Sequence, residues 1–383
     1  MSIYFDNAAT TFPKPLEVIQ AMTDYMTYYG GNAGRGSSST SLKSSKIVYE
    51  CRESLCDFFN FDKSENVIFT SNITSSLNIL FLSIIKEGWH VITSSMEHNS
   101  VLRPLFKLEQ EEKIELDVIQ CSKEGYLEIK DFQKQIKPNT KLVVLSHASN
   151  IVGSIQPLKE IGNICKQRNI FFIIDSAQTA GSLLLDFKSL NCNALAFTGH
   201  KGLLGPQGIG GFLIDDILNN IALPVFVGGT GSLSHALYQP DYLPDKFECG
   251  TLNMPGIVGL KAGLNFINKI GISSIEEKEA ILTNYLISCL SEIENVEIYG
   301  PIDKKPRTST ISFNIKDMDS SELTYILDNQ FKIVTRTGLH CAPLAHKTIG
   351  TYPEGTIRIS LGYFNTINEL DVFTNAIKEI IRR

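Results

Sequence analysis

The sequence predicts an α/β protein. A large domain with a mainly parallel sheet, covered by helices on both faces, precedes a smaller α+β domain. Through residue 255, short runs that are apolar throughout alternate with amphipathic stretches of helical period, the pattern of buried parallel strands separated by helices. After residue 255 two long helical stretches come first, and strands and helices then mix. We therefore assign residues 16–255 to the large domain, and residues 256–383 with 1–15 to the small domain.

Each helix or strand is predicted from the spacing of its apolar residues and from its content of β-branched or aromatic residues. In the large domain the predicted strands are residues 66–70, 90–93, 116–119, 141–146, 170–175 and 194–198. The predicted helices are residues 75–85, 100–112, 129–136 and 158–167. In the small domain we predict helices at 255–269, 274–293, 320–330 and from 367 onward, and strands at 308–315, 332–335 and 355–360.

Composition excludes several classes of function. The net charge of −6 offers no basic surface for a nucleic acid partner. No apolar run approaches the length of a membrane span, and the first residues lack the pattern of a secretory signal, so we expect a cytoplasmic protein without membrane contact. The 8 cysteines show no paired spacing, which predicts reduced, mostly buried thiols. His340, Cys341 and His346 are close in sequence, but zinc normally takes four ligands, so we predict no metal.

Polar residues follow five of the predicted strands. They are residues 71–74, 97–98, 147–150, 175–178 and 198–201. Any one group is explained by turn or helix-cap chemistry. However, ligands of open parallel sheets bind beyond the carboxyl ends of the strands, so we expect all five groups to meet at one site.

Lys201 and Asp175 indicate the chemistry of that site. Lys201 follows an apolar strand in Thr198-Gly199-His200-Lys201, where an amine can form a Schiff base, although an exposed lysine in a glycine-rich turn has the same pattern. Asp175 follows four apolar residues, which suits a buried carboxylate beside a protonated ring nitrogen; the alternative is a helix cap. Together they predict pyridoxal 5'-phosphate (PLP).

The sequence also offers candidate residues that could bind the phosphate and the ring of such a cofactor. Residues 71–76 precede a predicted helix, so their backbone amides and Thr74 can meet a phosphate at the helix start. Thr198 and His200 would add donors from the Lys201 turn. The imidazole of His98 could stack on the cofactor ring. Helix capping is the alternative for the serine and threonine cluster.

Six ordered motifs resemble those of the class V aminotransferases, and most closely those of the cysteine desulfurase and selenocysteine lyase group. The motifs are Asp6-Asn7-Ala8-Ala9-Thr10, Glu97-His98-Asn99-Ser100, Ser146-His147-Ala148-Ser149-Asn150, Asp175-Ser176-Ala177-Gln178, Thr198-Gly199-His200-Lys201 and Arg336-Thr337-Gly338-Leu339-His340-Cys341. With Arg358 they span nearly the whole chain. The resemblance implies the PLP-dependent transferase fold type I, with a seven-stranded, mainly parallel sheet between helices.

The resemblance also implies roles for individual residues. Lys201 would hold the cofactor as a Schiff base and Asp175 would pair with its ring nitrogen. His98 would stack on the ring, and Gln178 and Asn150 would lie near its phenolic oxygen. The implied phosphate ligands are Thr74, Thr198 and His200, completed by Gly250-Thr251 of a neighbouring subunit. The last contact implies a homodimer.

Substrate roles fall in the small domain. Arg358 matches the family arginine that binds the substrate carboxylate, with Arg336 as a helper and Asn150 nearby; a surface ion pair is the alternative for either arginine. Cys341 matches the nucleophile that takes sulfur from L-cysteine as a persulfide and leaves alanine, and Arg336 or His340 could favour its thiolate. The alternative for Cys341 is a buried core cysteine.

Two departures and three rival functions remain open. Asn72-Ile73-Thr74 stands where the family often has Gly-Thr, and the segment from Cys341 to Arg358 is compact, which predicts a short nucleophile loop. L-selenocysteine is the alternative substrate, because selenium leaves without a persulfide nucleophile. A sulfur or selenium acceptor protein is a possible partner. An aminotransferase or epimerase, or a non-catalytic PLP-binding protein, would also fit the motifs.

Overall fold

The computed structural model describes residues 2–34, 36, 38–303 and 305–383. Numbered along the chain, its strands are β1 (Ile3–Tyr4), β2 (Val67–Thr70), β3 (Trp89–Ser94), β4 (Ile114–Ile119), β5 (Thr140–Ser146), β6 (Phe171–Asp175), β7 (Ala194–Thr198), β8 (Gly210–Ile214), β9 (Val296–Tyr299), β10 (Thr310–Ile315), β11 (Ile333–Val334), β12 (Arg336–Gly338) and β13 (Thr356–Ser360).

The helices alternate with these strands. They are α1 (Leu16–Asp24), α2 (Ser39–Phe59), α3 (Ile73–Ile84), α4 (Asn99–Gln110), α5 (Ile129–Gln135), α6 (Leu158–Gln167), α7 (Phe187–Leu190), α8 (Asp216–Asn219), α9 (Met254–Ile270), α10 (Ile272–Ser291), α11 (Ser320–Phe331), α12 (Pro343–Ile349) and α13 (Ile367–Ile381). A π-helical turn, Tyr25–Tyr29, continues α1, and a 3₁₀ turn, Ser64–Asn66, precedes β2. No helix in the described ranges is long and apolar enough to cross a membrane.

The central sheet confirms the predicted fold class. In the part of the chain that the structure describes, it has 7 strands in the order β2-β8-β7-β6-β5-β3-β4. The β3–β4, β3–β5, β5–β6 and β6–β7 pairs are parallel, and β8 is antiparallel to both of its neighbours. The six predicted strands are all present, with ends that differ by up to two residues.

The antiparallel strand β8 was missed because it begins with two glycines and reads as a continuation of the turn after Lys201. Its register explains the glycines. A Cβ on Gly210 would lie 2.9 Å from the Cα of Asn72 and 2.9 Å from the carbonyl oxygen of Phe197. Since β2 and β7 close in on both sides, only glycine fits there.

Side chains alternate between the two faces of the sheet, and each face is covered by helices. Val143, Leu145 and Phe172 belong to the hydrophobic cluster on one face, and Leu142 and Val144 belong to the cluster on the other. A strand that buries both faces has little polar alternation, which is why the apolar runs in the sequence were informative.

The second sheet is antiparallel, in the order β12-β13-β10-β9. Sequence reasoning missed β9 and β12, which have 4 and 3 residues. The predicted strand at 332–335 shortens to β11, which does not join this sheet but pairs with β1 in parallel. The N-terminal segment therefore packs with the C-terminal part of the chain, and Phe5 is buried in its hydrophobic cluster.

The domain boundary at residue 255 stays a prediction. Helix α9 lies just beyond it, yet Ile257, Leu260 and Leu264 are buried in the cluster on the large sheet, and the helix packs against α1 and α2. Most buried residues from Leu282 onward belong to the separate small-domain cluster. This packing favours a boundary after Ile270.

At the carboxyl edge of the large sheet, two turns are in backbone contact through glycine residues. Gly181 has φ +93°, and a Cβ there would overlap the carbonyl group of Gly202, the residue after Lys201. The turn that follows β6 is thereby packed backbone to backbone against the turn that carries Lys201. A side chain at Gly181 would have to displace the lysine turn.

We expect Gly181→Ala to lower the free energy of unfolding by about 3 kcal/mol, the sum of left-handed strain and steric overlap. Gly88→Ala is the matched control, because Gly88 has φ +80° and open space where its Cβ would lie. It should cost about 1 kcal/mol. Urea unfolding measures both variants. Equal losses would contradict the close packing at Gly181.

Candidate active site

Lys201 lies in the turn that follows β7 at the carboxyl edge of the sheet. Burial lowers the pKa of its amine to about 8, and the charges of Arg358 and Arg336 lower it further, while Asp175 and Asp6 act in the opposite sense. An exposed lysine in a turn would keep a pKa near that of the free amine, about 10.4. The structure therefore favours a functional lysine over the surface alternative.

The carbonyl of His200, one residue before Lys201, accepts hydrogen bonds from three donors of the N-terminal segment. The backbone N–H of Thr11 lies at 3.0 Å, the hydroxyl of Thr10 at 3.2 Å and the ammonium of Lys14 at 2.7 Å. Sequence reasoning gave no role to Lys14. A lysine between two prolines has no sequence spacing that indicates a functional role.

Asp175 ends β6 and is buried, with 4% of its surface exposed. Its carboxylate accepts a hydrogen bond from the N–H of Ala177 at 2.9 Å. Burial raises the pKa of Asp175, whereas that hydrogen bond and the charge of Lys201 lower it. The structure thus has a buried carboxyl group at Asp175 and a partly buried amine at Lys201, and the pairing of Asp175 with a ring nitrogen stays a prediction.

Two predicted phosphate ligands, Thr74 and Thr198, are near the amino end of α3. Thr70 of β2 and Thr198 of β7 both pair with Gly210 of β8, so the ends of these strands lie side by side. Within the described residues, the hydroxyl of Thr198 and Nδ1 of His200 are buried without a hydrogen-bond partner. Buried unpaired polar atoms indicate a missing ligand or water.

Thr74 lies in the exposed first turn of α3. The side chain of Asn72 caps this helix by accepting a hydrogen bond from the N–H of Ser75 at 2.9 Å. Asn72 therefore caps the helix in place of the glycine of the family pattern. The remaining backbone amides of the helix start stay available to an anion.

His98 caps α4, and its Nδ1 accepts a hydrogen bond from the N–H of Ser100 at 3.0 Å. Burial lowers the pKa of His98 to about 4, helped by the charges of Lys201, Arg336 and Arg358. Its ring is therefore neutral at pH 7, with the proton on Nε2.

Glu97 is a buried anchor for the His98 segment. Its carboxyl group accepts hydrogen bonds from the hydroxyl of Ser94 at 2.6 Å and from the N–H and hydroxyl of Ser146 at 2.7 and 2.6 Å. Burial nevertheless raises the pKa of Glu97 to about 7. Glu97 ties the end of β3 to the end of β5, and so positions the neighbouring imidazole.

Arg358 is almost fully buried, at 1% exposed. Its Nη2 donates to the carboxylate of Asp6 at 2.5 Å, and its Nη1 donates to the carbonyl oxygen of Asn150 at 3.0 Å. The surface-pair alternative for this arginine is therefore wrong. Asp6 belongs to the first of the six sequence motifs, but its role as partner of Arg358 was not anticipated.

Arg336 lies directly opposite Arg358, because β12 and β13 pair in antiparallel register at these two residues. Arg336 is only partly buried. Like charges opposite each other on neighbouring strands destabilise a sheet. An anion that binds both guanidinium groups would relieve this repulsion.

Cys341 is exposed, in the short turn between β12 and α12. The exposure of Cys341 excludes the alternative that it is a buried core cysteine. The short turn agrees with the predicted short nucleophile loop. The carbonyl of Cys341 accepts from the N–H of Asn99 at 2.8 Å, and the carbonyl of His340 accepts from the side-chain amide of Asn150 at 2.9 Å. These contacts attach the turn to the ends of β3 and β5.

His340 does not supply the positive charge expected beside Cys341. Burial lowers the pKa of His340 to about 2, with the charge of Arg358 adding to the effect, so the ring is neutral. The expectation of a cationic His340 was wrong because sequence alone did not reveal that its ring is buried. Arg336 remains the candidate cation.

The remaining predicted site residues are Gln178 and the pair Gly250-Thr251. Gln178 donates to the carbonyl of Ala8 at 3.2 Å and lines a cavity together with Lys201. Gly250 and Thr251 are exposed, and Gly250 lines a surface cleft with Arg52 of α2. The structure thus groups Gly250-Thr251 with α2.

The chain matches the family model described as aminotransferase class V over residues 3–373. A protein of Pyrococcus abyssi named probable cysteine desulfurase is 35% identical over 387 residues, covering 99% of this chain and 94% of the relative. A probable cysteine desulfurase of Methanothermobacter thermautotrophicus is 34% identical, with 99% and 94% coverage.

Solved structures agree with these relatives. The apo structure of a cysteine desulfurase from Thermococcus onnurineus NA1 has a TM-score of 0.94 and 35% identity, and covers 100% of this chain and 95% of its own. The cysteine desulfurase CsdA of Escherichia coli has a TM-score of 0.90 at 23% identity, with coverage of 100% and 95%, which shows the shared fold.

In the ligand-free protein, we expect Lys201 to react with an amine reagent such as trinitrobenzenesulfonate with a midpoint at about pH 8, because only the neutral amine attacks. Peptide mass spectrometry after timed labelling measures it. Asp175→Asn should move the midpoint to lower pH, and Arg336→Gln to higher pH. A midpoint near that of an exposed lysine would contradict the buried site.

Proposed function

The chain belongs to the class V aminotransferase family, and from this premise we propose that it is a PLP-dependent cysteine desulfurase. The reaction removes sulfur from L-cysteine and leaves L-alanine. The observation that carries the proposal is the exposed thiol of Cys341, held by backbone hydrogen bonds in a turn beside His98 and Arg336. An aminotransferase or an epimerase needs no thiol there.

The residues of the site fit PLP. The buried carboxyl of Asp175 suits a protonated ring nitrogen, and the neutral ring of His98 is free on its Nε2 side. The unpartnered hydroxyl of Thr198 and Nδ1 of His200 match a phosphate near the start of α3. When bound through Lys201, the cofactor supplies an electron sink for carbanion chemistry at the substrate Cα.

Arg336 and Arg358 would bind the substrate carboxylate. Arg336 is the more accessible of the two, and Arg358 is held by Asp6 and the carbonyl of Asn150. The substrate carboxylate would add a second anion beside Asp6 and would offset the charge of Arg336, which lies opposite Arg358. Once the substrate is anchored there, its Cα and its sulfur have defined positions.

Lys201 would then move the proton at the substrate Cα. Its pKa of about 8 leaves a useful fraction of neutral amine at pH 7, and the same group can return the proton. The three hydrogen bonds to the His200 carbonyl restrain the backbone of this turn. A restrained backbone keeps Nζ within reach of the substrate during proton transfer.

Cys341 would take the sulfur. Its thiolate attacks the sulfur of the substrate, so that a bond from Sγ to sulfur forms while the substrate carbon–sulfur bond breaks. Arg336 lies on the preceding strand, β12. Because Cys341 is exposed, the resulting persulfide would remain open to a sulfur acceptor protein.

A selenocysteine lyase is the second candidate, and the same groups favour it. Carboxylate binding and proton transfer are identical for L-selenocysteine, while selenium can leave without attack by a thiol. The two substrates therefore differ mainly in their need for Cys341. We also place the protein in the cytoplasm, where reduced thiols are retained.

A homodimer would complete the site. Large apolar side chains are exposed on α1 and α2 and in the segment from residue 223 to 242, among them Leu237 at 96% and Tyr238 at 89% exposed. Thr230, Pro244 and Gly250 line a common cleft with Arg52 of α2, so this segment lies beside α2. Exposed apolar groups of this kind favour burial against a second copy, which would bring Gly250-Thr251 to the partner's phosphate.

We expect Cys341→Ala to abolish sulfide and alanine formation from L-cysteine while alanine formation from L-selenocysteine persists. The reason is that only the carbon–sulfur bond needs a thiol to accept the departing atom. Alanine assays on both substrates measure the two activities. Lys201→Ala is the control and should lose both. Full cysteine turnover by Cys341→Ala would refute the persulfide mechanism.

We expect Lys201→Ala and Thr251→Leu chains to complement each other when mixed and reassociated. A mixed dimer would contain one intact site, so random assortment should restore about a quarter of the activity. Lys201→Ala mixed with Asp175→Asn is the matched control, because both changes lie in the same site and should restore nothing. If the first mixture is also inactive, Thr251 does not act across the dimer.

A further inference from the structure

Two buried histidines lie beside the nucleophile turn, and each has one ring nitrogen without a partner. His340 is 4% exposed and His346 is 0% exposed, and their ring centroids are 5.7 Å apart. Nδ1 of His340 and Nε2 of His346 make no hydrogen bond with any residue of the described ranges. Neither ring takes part in the proposed reaction.

The tautomer of His340 follows from its other nitrogen. Nε2 lies 3.0 Å from the carbonyl oxygen of Thr356, which can only accept, so Nε2 carries the proton. Because the ring is neutral, Nδ1 presents a bare lone pair. For His346, Nδ1 lies 2.7 Å from the hydroxyl of Thr351, which can donate or accept. Its Nε2 is therefore either a donor or an acceptor.

A third unpaired atom belongs to Arg358. Its Nη1 and Nη2 bind Asn150 and Asp6, but its Nε is buried and lacks a partner in the part of the chain that is described. Asn150 joins Arg358 to the His340 residue, because its carbonyl accepts from Nη1 of Arg358 and its side-chain amide donates to the carbonyl of His340. The His340 ring also binds Thr356, two residues before Arg358 on β13, and lies 5.7 Å from the His346 ring. Three unsatisfied polar atoms thus belong to side chains of one buried region.

We propose that one buried water binds Nε of Arg358, Nδ1 of His340 and Nε2 of His346, and that His340 and His346 are positioning residues for Cys341. The water accepts from Nε–H of Arg358 and donates to Nδ1 of His340. Its remaining donor and acceptor satisfy His346 in either tautomer. Buried waters typically make about three such hydrogen bonds.

The water links the substrate arginine to the nucleophile. His340 and Cys341 have φ angles of 45° and 59°, a left-handed conformation that persists only where the surroundings hold it. The hydrogen bonds from Asn99 and Asn150 hold the backbone of the turn. Through the His340 side chain, the water keeps the backbone of the turn in a fixed position relative to Arg358. This inference rests on the proposed role of Cys341 as nucleophile.

The first test is a crystal structure of the wild-type holoenzyme. We expect one ordered water within hydrogen-bond distance of the three nitrogens. A dry region in which the two rings bond directly to each other, or a metal ion between them, would overturn the proposal. This readout does not depend on any enzymatic activity.

The second test compares His346→Leu with His346→Gln. Leucine removes the polar partner, so the kcat for alanine from L-cysteine should fall about tenfold or more, while turnover of L-selenocysteine and the KM for both substrates stay unchanged. A glutamine amide can replace Nε2 and should largely restore cysteine turnover. Equal loss on both substrates, or no loss, would refute positioning of the nucleophile.

His90→Gln is the matched control, since His90 is a buried histidine at the opposite end of the sheet, 2.7 Å from Thr140. It should leave both turnovers as in the wild type. Alkylation of the buried thiols Cys51, Cys56, Cys121, Cys165 and Cys192 monitors the fold. If the wild type does not turn over L-cysteine, the proposed function fails, while the water test still decides on the buried water.

Discussion

The ion pair between the buried Arg358 and the half-buried Asp6 is the interaction on which the candidate site depends. It joins β13 of the small domain to the N-terminal segment, and a second bond from Arg358 reaches the carbonyl of Asn150 after β5. Asn150 in turn donates to the carbonyl of His340 in the nucleophile turn. Removing one partner of a buried pair typically costs about 3–5 kcal/mol, because the remaining charge is left uncompensated. One guanidinium thus connects three distant parts of the chain.

The N-terminal segment extends this connection to Lys201, the proposed Schiff-base lysine. After Asp6, its residues Thr10, Thr11 and Lys14 converge on the carbonyl of His200. The same short segment therefore restrains both the proposed substrate arginine and the backbone of the proposed Schiff-base lysine. Its strand β1 is held in the small domain by β11. A change in the packing of the small domain would reach Lys201 through this route.

Burial and a cluster of cations determine the protonation of the site. The pKa of Lys201 falls to about 8, that of His98 to about 4 and that of His340 to about 2, in each case with burial as the largest cause. Neutral imidazoles can stack or accept hydrogen bonds without repelling the arginines. Asp6 compensates the charge of Arg358, so the positive charge of Arg336 is the one available to an anionic substrate. This arrangement suits the proposed binding of a carboxylate and the proposed proton transfer at carbon.

The sequence by itself determined the class of sheet and the set of residues at its carboxyl edge. Apolar runs identified the parallel strands because both faces of those strands are buried, and the polar residues after them had to converge at one edge. Lys201, Asp175 and His98 were proposed as site residues in this way, and the ordered motifs led to the family, which the family model confirms. Strand β8 could not be predicted from the sequence. Its glycines are required by the close approach of β2 and β7, which exists only in the folded sheet. The partnership of Asp6 with Arg358, the burial of His340 and the opposition of Arg336 to Arg358 were likewise decided by tertiary packing. They depend on contacts between residues far apart in the chain, and local sequence carries no signal of such contacts.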